Sequence, residues 1–337
     1  MFGPARIATR TVGLTACLTL TSSLMTPAQA IVGSTSLASD GTSQASLAAV
    51  AKLNIATTEG SFGCSGSLLG GGAYVLTAAH CLTGTNGTAT TNSVSVSLLG
   101  GTVNASGVSY HVNPGWNGNL VAGNDIALIA LANPVTSVAG YSLYPANAQG
   151  NTVTLTGYGL TGVGSTGSVD NTFGTLHYGG NQYDAPSGYY SANQISSSIY
   201  LYDFDDGTFR RNAFGSSGLG SASEVFIAAG DSGGPGLIDV NGTLAVAGVH
   251  SFSSCTRFTC PVNSTFGEVA GDTSVFANSA WLQSVLAVPE PDTYALLLAG
   301  LGLLGFIAKR RAPHVWALAG STVRMRPHSG SVAFKAC

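Results

Sequence analysis

Gly230-Asp231-Ser232-Gly233-Gly234-Pro235 places a serine among small, flexible residues. Such a turn can expose the Ser232 hydroxyl while nearby backbone N–H groups face a bound molecule. A hydroxyl is a poor nucleophile at neutral pH, so this role requires a histidine base and a carboxylate that orients the histidine. The hexapeptide therefore predicts an activated serine if both partners occur elsewhere in the chain.

Both partners occur upstream of the serine. His80 lies in Val75-Leu76-Thr77-Ala78-Ala79-His80-Cys81, and Asp125 lies in Asn124-Asp125-Ile126-Ala127-Leu128-Ile129. The resulting chain order of His, Asp, Ser distinguishes chymotrypsin-like barrels from the subtilisin and α/β-hydrolase arrangements. A lone serine turn is usually only a polar turn, but three ordered motifs favour a catalytic triad.

Through these three motifs the chain resembles the trypsin and chymotrypsin family of serine endopeptidases. The resemblance implies an all-β fold of two packed antiparallel β-barrels, with the catalytic cleft between them and a short C-terminal helix. It also implies that Ser232 attacks a peptide carbonyl, His80 transfers the proton and Asp125 orients the imidazole. The N–H groups of Gly230 and Ser232 would form the oxyanion hole.

The composition agrees with this interpretation. Of 337 residues, 45% are hydrophobic, 46 are glycine and only 8% are charged, which suits short strands joined by tight turns. The net charge of −3 and the absence of a basic stripe argue against binding to nucleic acid. The predicted chemistry requires no cofactor.

Short apolar runs alternate with turn residues over 45–135 and again over 153–275. They predict a first barrel over 31–145, carrying His80 and Asp125, and a second over 146–287, carrying Ser232. A helix is predicted over 279–286, where the apolar residues Trp281, Leu282, Val285 and Leu286 follow one another at helical spacing.

Residues 1–30 have the features of a cleaved secretory signal. Arg6 and Arg10 precede an apolar centre over 12–24, and the segment ends in Ala28-Gln29-Ala30. The alternative is a short buried helix. We expect signal peptidase to be a partner and the protein to be exported.

Export would place the cysteines in an oxidising compartment. Four remain after signal removal and allow three pairings: Cys64, Cys81, Cys255 and Cys260. The family resemblance implies a Cys64–Cys81 bond, which leaves Cys255 for Cys260. No metal site is expected, because the sequence lacks Cys and His spacings typical of zinc.

Asp231 suggests how the enzyme becomes active. A buried carboxylate beside the nucleophile needs a positive partner. Cleavage after Ala30 would expose Ile31-Val32-Gly33, which is similar to the Ile-Val-Gly-Gly start that pairs its ammonium with this aspartate in the family. The alternative is a coincidental Ile-Val after a signal.

Candidate substrate-binding residues follow from the same resemblance. Phe226 stands six residues before Ser232, where trypsin-like members have the aspartate that binds basic side chains, so we do not expect preference for Arg or Lys. Ser251-Phe252-Ser253 is similar to the Ser-Trp-Gly strand that pairs with the substrate backbone. Phe252 would line an apolar wall or pack in the core, and both alternatives stay open.

The other titratable residues are predicted to be structural. His111, His177 and His250 match no motif and are interpreted as surface or hydrogen-bonded histidines. Asp203-Phe204-Asp205-Asp206-Gly207 could suit calcium, but it lacks the later Glu of an EF-hand loop, which favours a solvated turn.

The C-terminal region resembles the PEP-CTERM sorting signal of Gram-negative bacteria. Val288-Pro289-Glu290-Pro291 precedes an apolar run over 294–308 and then Lys309-Arg310-Arg311. The resemblance implies recognition by an exosortase and delivery to the cell surface or extracellular matrix. The apolar run is shorter than the roughly twenty residues that span a bilayer comfortably. We therefore expect a short transmembrane-type helix with transient membrane association, and a disordered tail over 312–337.

The sequence leaves open two alternatives to an exported endopeptidase. A surface- or matrix-binding protein could retain the scaffold without catalysis, because a fold alone does not establish chemistry. An esterase could use the same three residues on a different substrate.

Overall fold

The computed structural model describes residues 31–36, 38–84, 86–185, 187–215, 219, 224–255, 263–287 and 291–311. The chain divides into two units, one that ends at Val285 and one that begins at Leu286. The predicted signal over 1–30, Cys260 and the tail over 312–337 lie outside the described residues.

The first half of the chain forms a closed six-stranded barrel. The strands in this half are β1 (Ile31–Gly33), β2 (Ser39–Asp40), β3 (Val50–Thr57), β4 (Gly60–Leu68), β5 (Tyr74–Thr77), β6 (Thr91–Leu98), β7 (Val103–Val112) and β8 (Ala127–Leu131), and the barrel consists of β3 to β8. The barrel order is β3-β4-β5-β8-β7-β6, and antiparallel pairing of β3 with β6 closes it.

The barrel closes because alternate side chains of its strands are apolar. On β6, Val94, Val96 and Leu98 are buried, whereas Ser93 and Ser95 face outward. This period of two places one face of each strand in the core. Burial of each such side chain contributes roughly 1.5–3 kcal/mol.

The second half contains two further sheets. Its strands are β9 (Ser142–Leu143), β10 (Thr152–Gly157), β11 (Thr161–Val163), β12 (Gly167–Val169), β13 (His177–Gln182), β14 (Ile199–Asp203), β15 (Val225–Phe226), β16 (Pro235–Val240), β17 (Thr243–Cys255) and β18 (Glu268–Ser274). An eight-stranded sheet has the order β14-β18-β17-β16-β10-β13-β2, with β9 paired to β17. A four-stranded sheet has the order β12-β11-β1-β15.

Four α-helices complete the described structure: α1 (Ala79–Thr83), α2 (Ser187–Asn193), α3 (Ser279–Leu286) and α4 (Pro291–Arg311). The predicted all-β fold is confirmed, and α3 has the bounds predicted for the C-terminal helix of the second barrel. The short strands β1 and β2 pair with strands of the second half, through Val32 with Phe226 and Asp40 with His177.

One disulfide lies beside the first helix. The Cys64–Cys81 bond joins β4 to α1, as the family resemblance implied. Cys255 is also disulfide-bonded, and its predicted partner Cys260 lies outside the described residues. The first bond fixes the residue that directly follows His80.

Helix α4 covers the apolar run over 294–308. In the part of the chain that the structure describes, no helix has both the length and the apolar character needed to cross a membrane. The transmembrane-type helix that we expected is not found in that part of the chain.

Candidate active site

Strand pairing brings His80 and Asp125 together. β5 ends at Thr77, three residues before His80, and Thr77 pairs with Ala127 of β8, two residues after Asp125. The Asp125 carboxylate accepts two hydrogen bonds from His80, at 2.8 Å from the backbone N and 2.7 Å from Nδ1.

Asp125 is fully buried and has a third donor. The Ser251 hydroxyl donates to Asp125 Oδ2 at 2.5 Å. Three donors compensate for removal of the carboxylate from water. Because Nδ1–H of the neutral ring donates to Asp125, the Nε2 atom of His80 carries the free lone pair.

The electrostatics of His80 suit a base that gains a proton. Burial opposes the charged form of the ring, but the charge of Asp125 and its hydrogen bond act in the opposite direction and outweigh burial. The pKa of His80 therefore lies above its ordinary value of 6.5. Its side chain retains 11% exposure, so the ring is accessible from one side.

The Ser232 loop is tied to both halves of the protein. The Ser232 carbonyl accepts a hydrogen bond from Ser65 N–H of β4 at 2.8 Å, and Gly233 N–H donates to the His250 carbonyl of β17 at 2.8 Å. Gly233 has φ +81°, and a Cβ there would lie 2.1 Å from Thr77 Oγ1. Only glycine fits this close approach.

His80 and Ser232 line the same cavity, which has a volume of about 300 Å³. Its wall also includes Glu59, Phe62 and the Cys64–Cys81 disulfide. Among the described residues, the Ser232 hydroxyl forms no hydrogen bond with the His80 ring. Such bonds are often long before substrate binds and tighten in the complex.

The predicted oxyanion donors lie at this cavity. Asp231 N–H donates to Ala228 O at 3.0 Å, and Gly233 N–H is also occupied within the protein. In contrast, the N–H groups of Gly230 and Ser232 donate to no acceptor within the described ranges. Both groups are therefore available to a bound molecule.

The structure also brings Ile31 to Asp231. Asp231 is fully buried, and its carboxylate accepts N–H bonds from Gly159 at 2.8 Å, from Ala228 at 2.9 Å and from the Ile31 backbone. Burial raises the pKa of Asp231 to about 6. A positive charge at the Ile31 nitrogen would favour the ionised carboxylate.

The four candidate substrate-binding residues lie in different places. Phe226 is fully buried and stacks on Phe204, with ring centroids 5.2 Å apart, so it lies in the core. Ser251 is 5% exposed, and its hydroxyl binds Asp125. Phe252 and Ser253 do line an open cavity of about 420 Å³ beside α2.

The surroundings of Phe252 include both the core and this cavity. Its ring faces the Gly271 backbone of β18, where a Cβ would lie 2.5 Å from the ring. It also packs against the buried cluster that contains Ile199 and Leu201. The ring therefore both packs on the core and forms part of the cavity wall.

The acidic turn differs from its prediction. Asp203 and Asp205 are 1% and 2% exposed, and Asp205 N–H donates to the Glu224 carboxylate at 3.2 Å. Burial and the neighbouring carboxylates Asp184 and Asp205 raise the pKa of Asp203 to about 7. The prediction of a solvated turn is wrong for Asp203 and Asp205, because Glu224 and the loop over 212–213 bind to them.

Three residues at the site were not predicted in these roles. Ser65 connects the two halves: its hydroxyl donates to Gly230 O at 3.0 Å and accepts from Tyr158 N–H at 2.9 Å. Ser251 holds Asp125, and Glu59 places a carboxylate on the cavity wall. No local pattern identifies Ser65 or Glu59, whereas the Ser-Phe-Ser motif did draw attention to Ser251.

Two family models match parts of the chain. The trypsin family profile matches residues 38–265, and the PEP-CTERM protein-sorting motif matches residues 287–311. No curated protein matches the chain.

Two solved structures share the fold. The HL collagenase structure has a TM-score of 0.52 and 19% identity, and the match covers 76% of this chain and 99% of that one. Neuropsin, a serine protease expressed in the limbic system of mouse brain, has a TM-score of 0.52 and 20% identity, with 72% and 96% covered. At these identities the likeness shows the fold alone.

Proposed function

The chain belongs to the trypsin family, and we propose that it is a secreted serine endopeptidase that uses Ser232, His80 and Asp125 as its catalytic triad. The observation that carries the proposal is the 2.7 Å hydrogen bond from His80 Nδ1 to Asp125, next to a cavity that His80 shares with Ser232. This arrangement supplies the base and the nucleophile of acyl transfer.

In the first step, the Ser232 oxygen bonds to the peptide carbonyl carbon while His80 Nε2 takes the hydroxyl proton. His80 then gives that proton to the leaving amine as the C–N bond breaks, which leaves an acyl-enzyme on Ser232. Water attacks the ester by the same route and restores the hydroxyl. Asp125 stabilises the imidazolium that forms twice in each cycle.

The N–H groups of Gly230 and Ser232 are proposed to bind the oxyanion of each tetrahedral intermediate. Loss of one such donor typically costs about 2.7–4 kcal/mol of barrier lowering. Their freedom from internal acceptors supports this role. Phe252 and Ser253 are proposed to contact the substrate on the other side of the scissile bond, because they line an open cavity.

Processing at both ends is part of the proposal. Signal peptidase would cut after Ala30, and the new Ile31 ammonium would pair with Asp231, which already accepts the Ile31 N–H bond. The PEP-CTERM motif is consistent with exosortase processing and with cell-surface association in Gram-negative bacteria.

Hydrolysis of peptides and matched esters by the purified protein tests this function. Ser232→Ala and His80→Gln should each abolish cleavage of both, whereas His111→Gln is the matched histidine control and should retain activity. Cleavage of esters without peptides would support an esterase instead. Full peptide cleavage by Ser232→Ala would refute the proposed nucleophile.

A further inference from the structure

A second histidine–carboxylate pair lies beneath the Ser232 loop. His250 of β17 and Asp272 of β18 are paired in the sheet register, and both side chains are fully buried. The distance from His250 Nδ1 to Asp272 Oδ1 is 2.8 Å. The proton transfer at His80 and Asp125 does not use this pair.

Two tyrosines determine how this pair is protonated. Tyr183 OH donates to Asp272 Oδ2 at 2.6 Å, and Tyr202 OH donates to Oδ1 at 3.3 Å. Burial raises the pKa of both phenols well above the usual value, so both keep their protons as donors. Both phenols therefore donate to the Asp272 carboxylate, and we assign His250 Nδ1 as the donor in the His250–Asp272 bond.

The backbone of His250 holds the Ser232 loop. His250 N–H donates to Gly234 O at 2.9 Å, and Gly233 N–H donates to His250 O at 2.8 Å. The imidazole edge also contacts Gly234, where a Cβ would lie 3.0 Å from His250 Cδ2. Displacement of this side chain would therefore displace the residues that follow Ser232.

Two carboxylates, Asp272 and Asp231, act on His250 before the chain is cleaved after Ala30. Burial disfavours the imidazolium, but Asp272 and Asp231 outweigh burial and raise the pKa of His250. His250 in turn opposes the effect of burial on Asp231. While the chain continues before Ile31, its nitrogen is a neutral amide, and His250 is a group whose charge favours the ionised form of Asp231.

We propose that His250, as an imidazolium paired with Asp272, is a positioning residue that holds the Ser232 loop and supplies positive charge towards Asp231. The loop would thus be ordered before Ile31 becomes an amino terminus. The Ile31 ammonium would then complete a group of two positive and two negative charges. This inference rests on the proposed function, because it concerns the geometry of the same nucleophile.

The pH profile separates this role from simple packing. The imidazolium is lost as the pH rises through the raised pKa of His250, so kcat of the wild type should fall on the alkaline side. His250→Gln keeps a side-chain donor to Asp272 without the charge. We expect its kcat to be about one tenth of the wild-type value and its KM to stay within about twofold of the wild type. Its pH profile should show no alkaline fall.

Asp272→Asn provides a graded test, and His111→Gln is again the matched control. Asp272→Asn removes the main charge that raises the pKa of His250, so the alkaline fall should move to lower pH. His111→Gln should leave both kcat and the profile unchanged. An unchanged alkaline fall in His250→Gln would overturn the proposal, whatever the kcat of that variant.

Nuclear magnetic resonance of ¹⁵N-histidine-labelled wild type keeps the proposal testable if these variants do not fold. We expect both ring nitrogens of His250 to carry protons at neutral pH, and a neutral ring at that pH would overturn the proposal. This readout requires no turnover. Absence of peptidase activity would therefore refute the proposed function, whereas the NMR measurement would still report the charge of His250.

Discussion

Ser251→Ala should slow catalysis without touching any member of the triad. Ser251 supplies one of three hydrogen bonds to the buried Asp125 carboxylate, at 2.5 Å, and His80 supplies the other two at 2.7 and 2.8 Å. A hydrogen bond to a charged group contributes about 1.5–3 kcal/mol. Since two donors remain, we expect the lower end of this range to appear in the barrier, which corresponds to about tenfold in kcat.

The assay compares kcat and KM of Ser251→Ala with those of Ser253→Ala, which changes the same residue type two positions further along β17. The first variant should lose kcat with little change in KM, because Asp125 orients His80 and does not bind substrate. Ser253→Ala changes a cavity wall and should act mainly on KM. A folded Ser251→Ala protein with kcat within about twofold of the wild type would refute the reasoning.

The Cys64→Ala/Cys81→Ala variant removes a disulfide with a sequence separation of 17. Urea unfolding should show a loss of about 3 kcal/mol in the free energy of unfolding. An unchanged unfolding midpoint would contradict this prediction. Glu59 places an exposed carboxylate on the cavity that His80 and Ser232 line. Glu59→Gln should therefore reduce cleavage of peptides with Lys or Arg on the leaving side by about two- to fivefold relative to neutral peptides. An unchanged ratio would exclude a role of Glu59 in binding these basic side chains. His80 must be neutral to accept a proton, so kcat/KM should fall as the pH decreases, with a midpoint above 6.5. Titration of the His80 ring in Asp125→Asn should give a lower midpoint, because burial then acts on the ring with less opposition. An unshifted midpoint would argue against Asp125 as the cause of the raised pKa of His80.

Much of the fold could be predicted from the sequence because its signals are local or ordered along the chain. Alternation of Val94, Val96 and Leu98 with serine determines which face of β6 enters the barrel. The three motifs predicted which residues would meet, and the strand pairing of β5 with β8 does bring His80 to Asp125. The helical spacing over 279–286 gave the bounds of α3 correctly.

The remaining features depend on contacts between distant segments. Asp203 and Asp205 form a polar turn in the sequence, but Glu224 lies against them in the fold, so they are buried. His250 matched no motif because its partner Asp272 is on the next strand of the sheet. The apolar run in α4 was interpreted from its flanking residues, and the described residues contain no helix long and apolar enough to cross a membrane.

Fluorophosphonate labelling of the folded protein tests the central claim most directly, because the reagent bonds to a serine that a nearby base activates. Mass spectrometry should locate one adduct on Ser232, and labelling should be lost in His80→Gln and retained in His111→Gln. An unlabelled Ser232 in folded wild-type protein, or equal labelling in His80→Gln, would contradict the proposed triad.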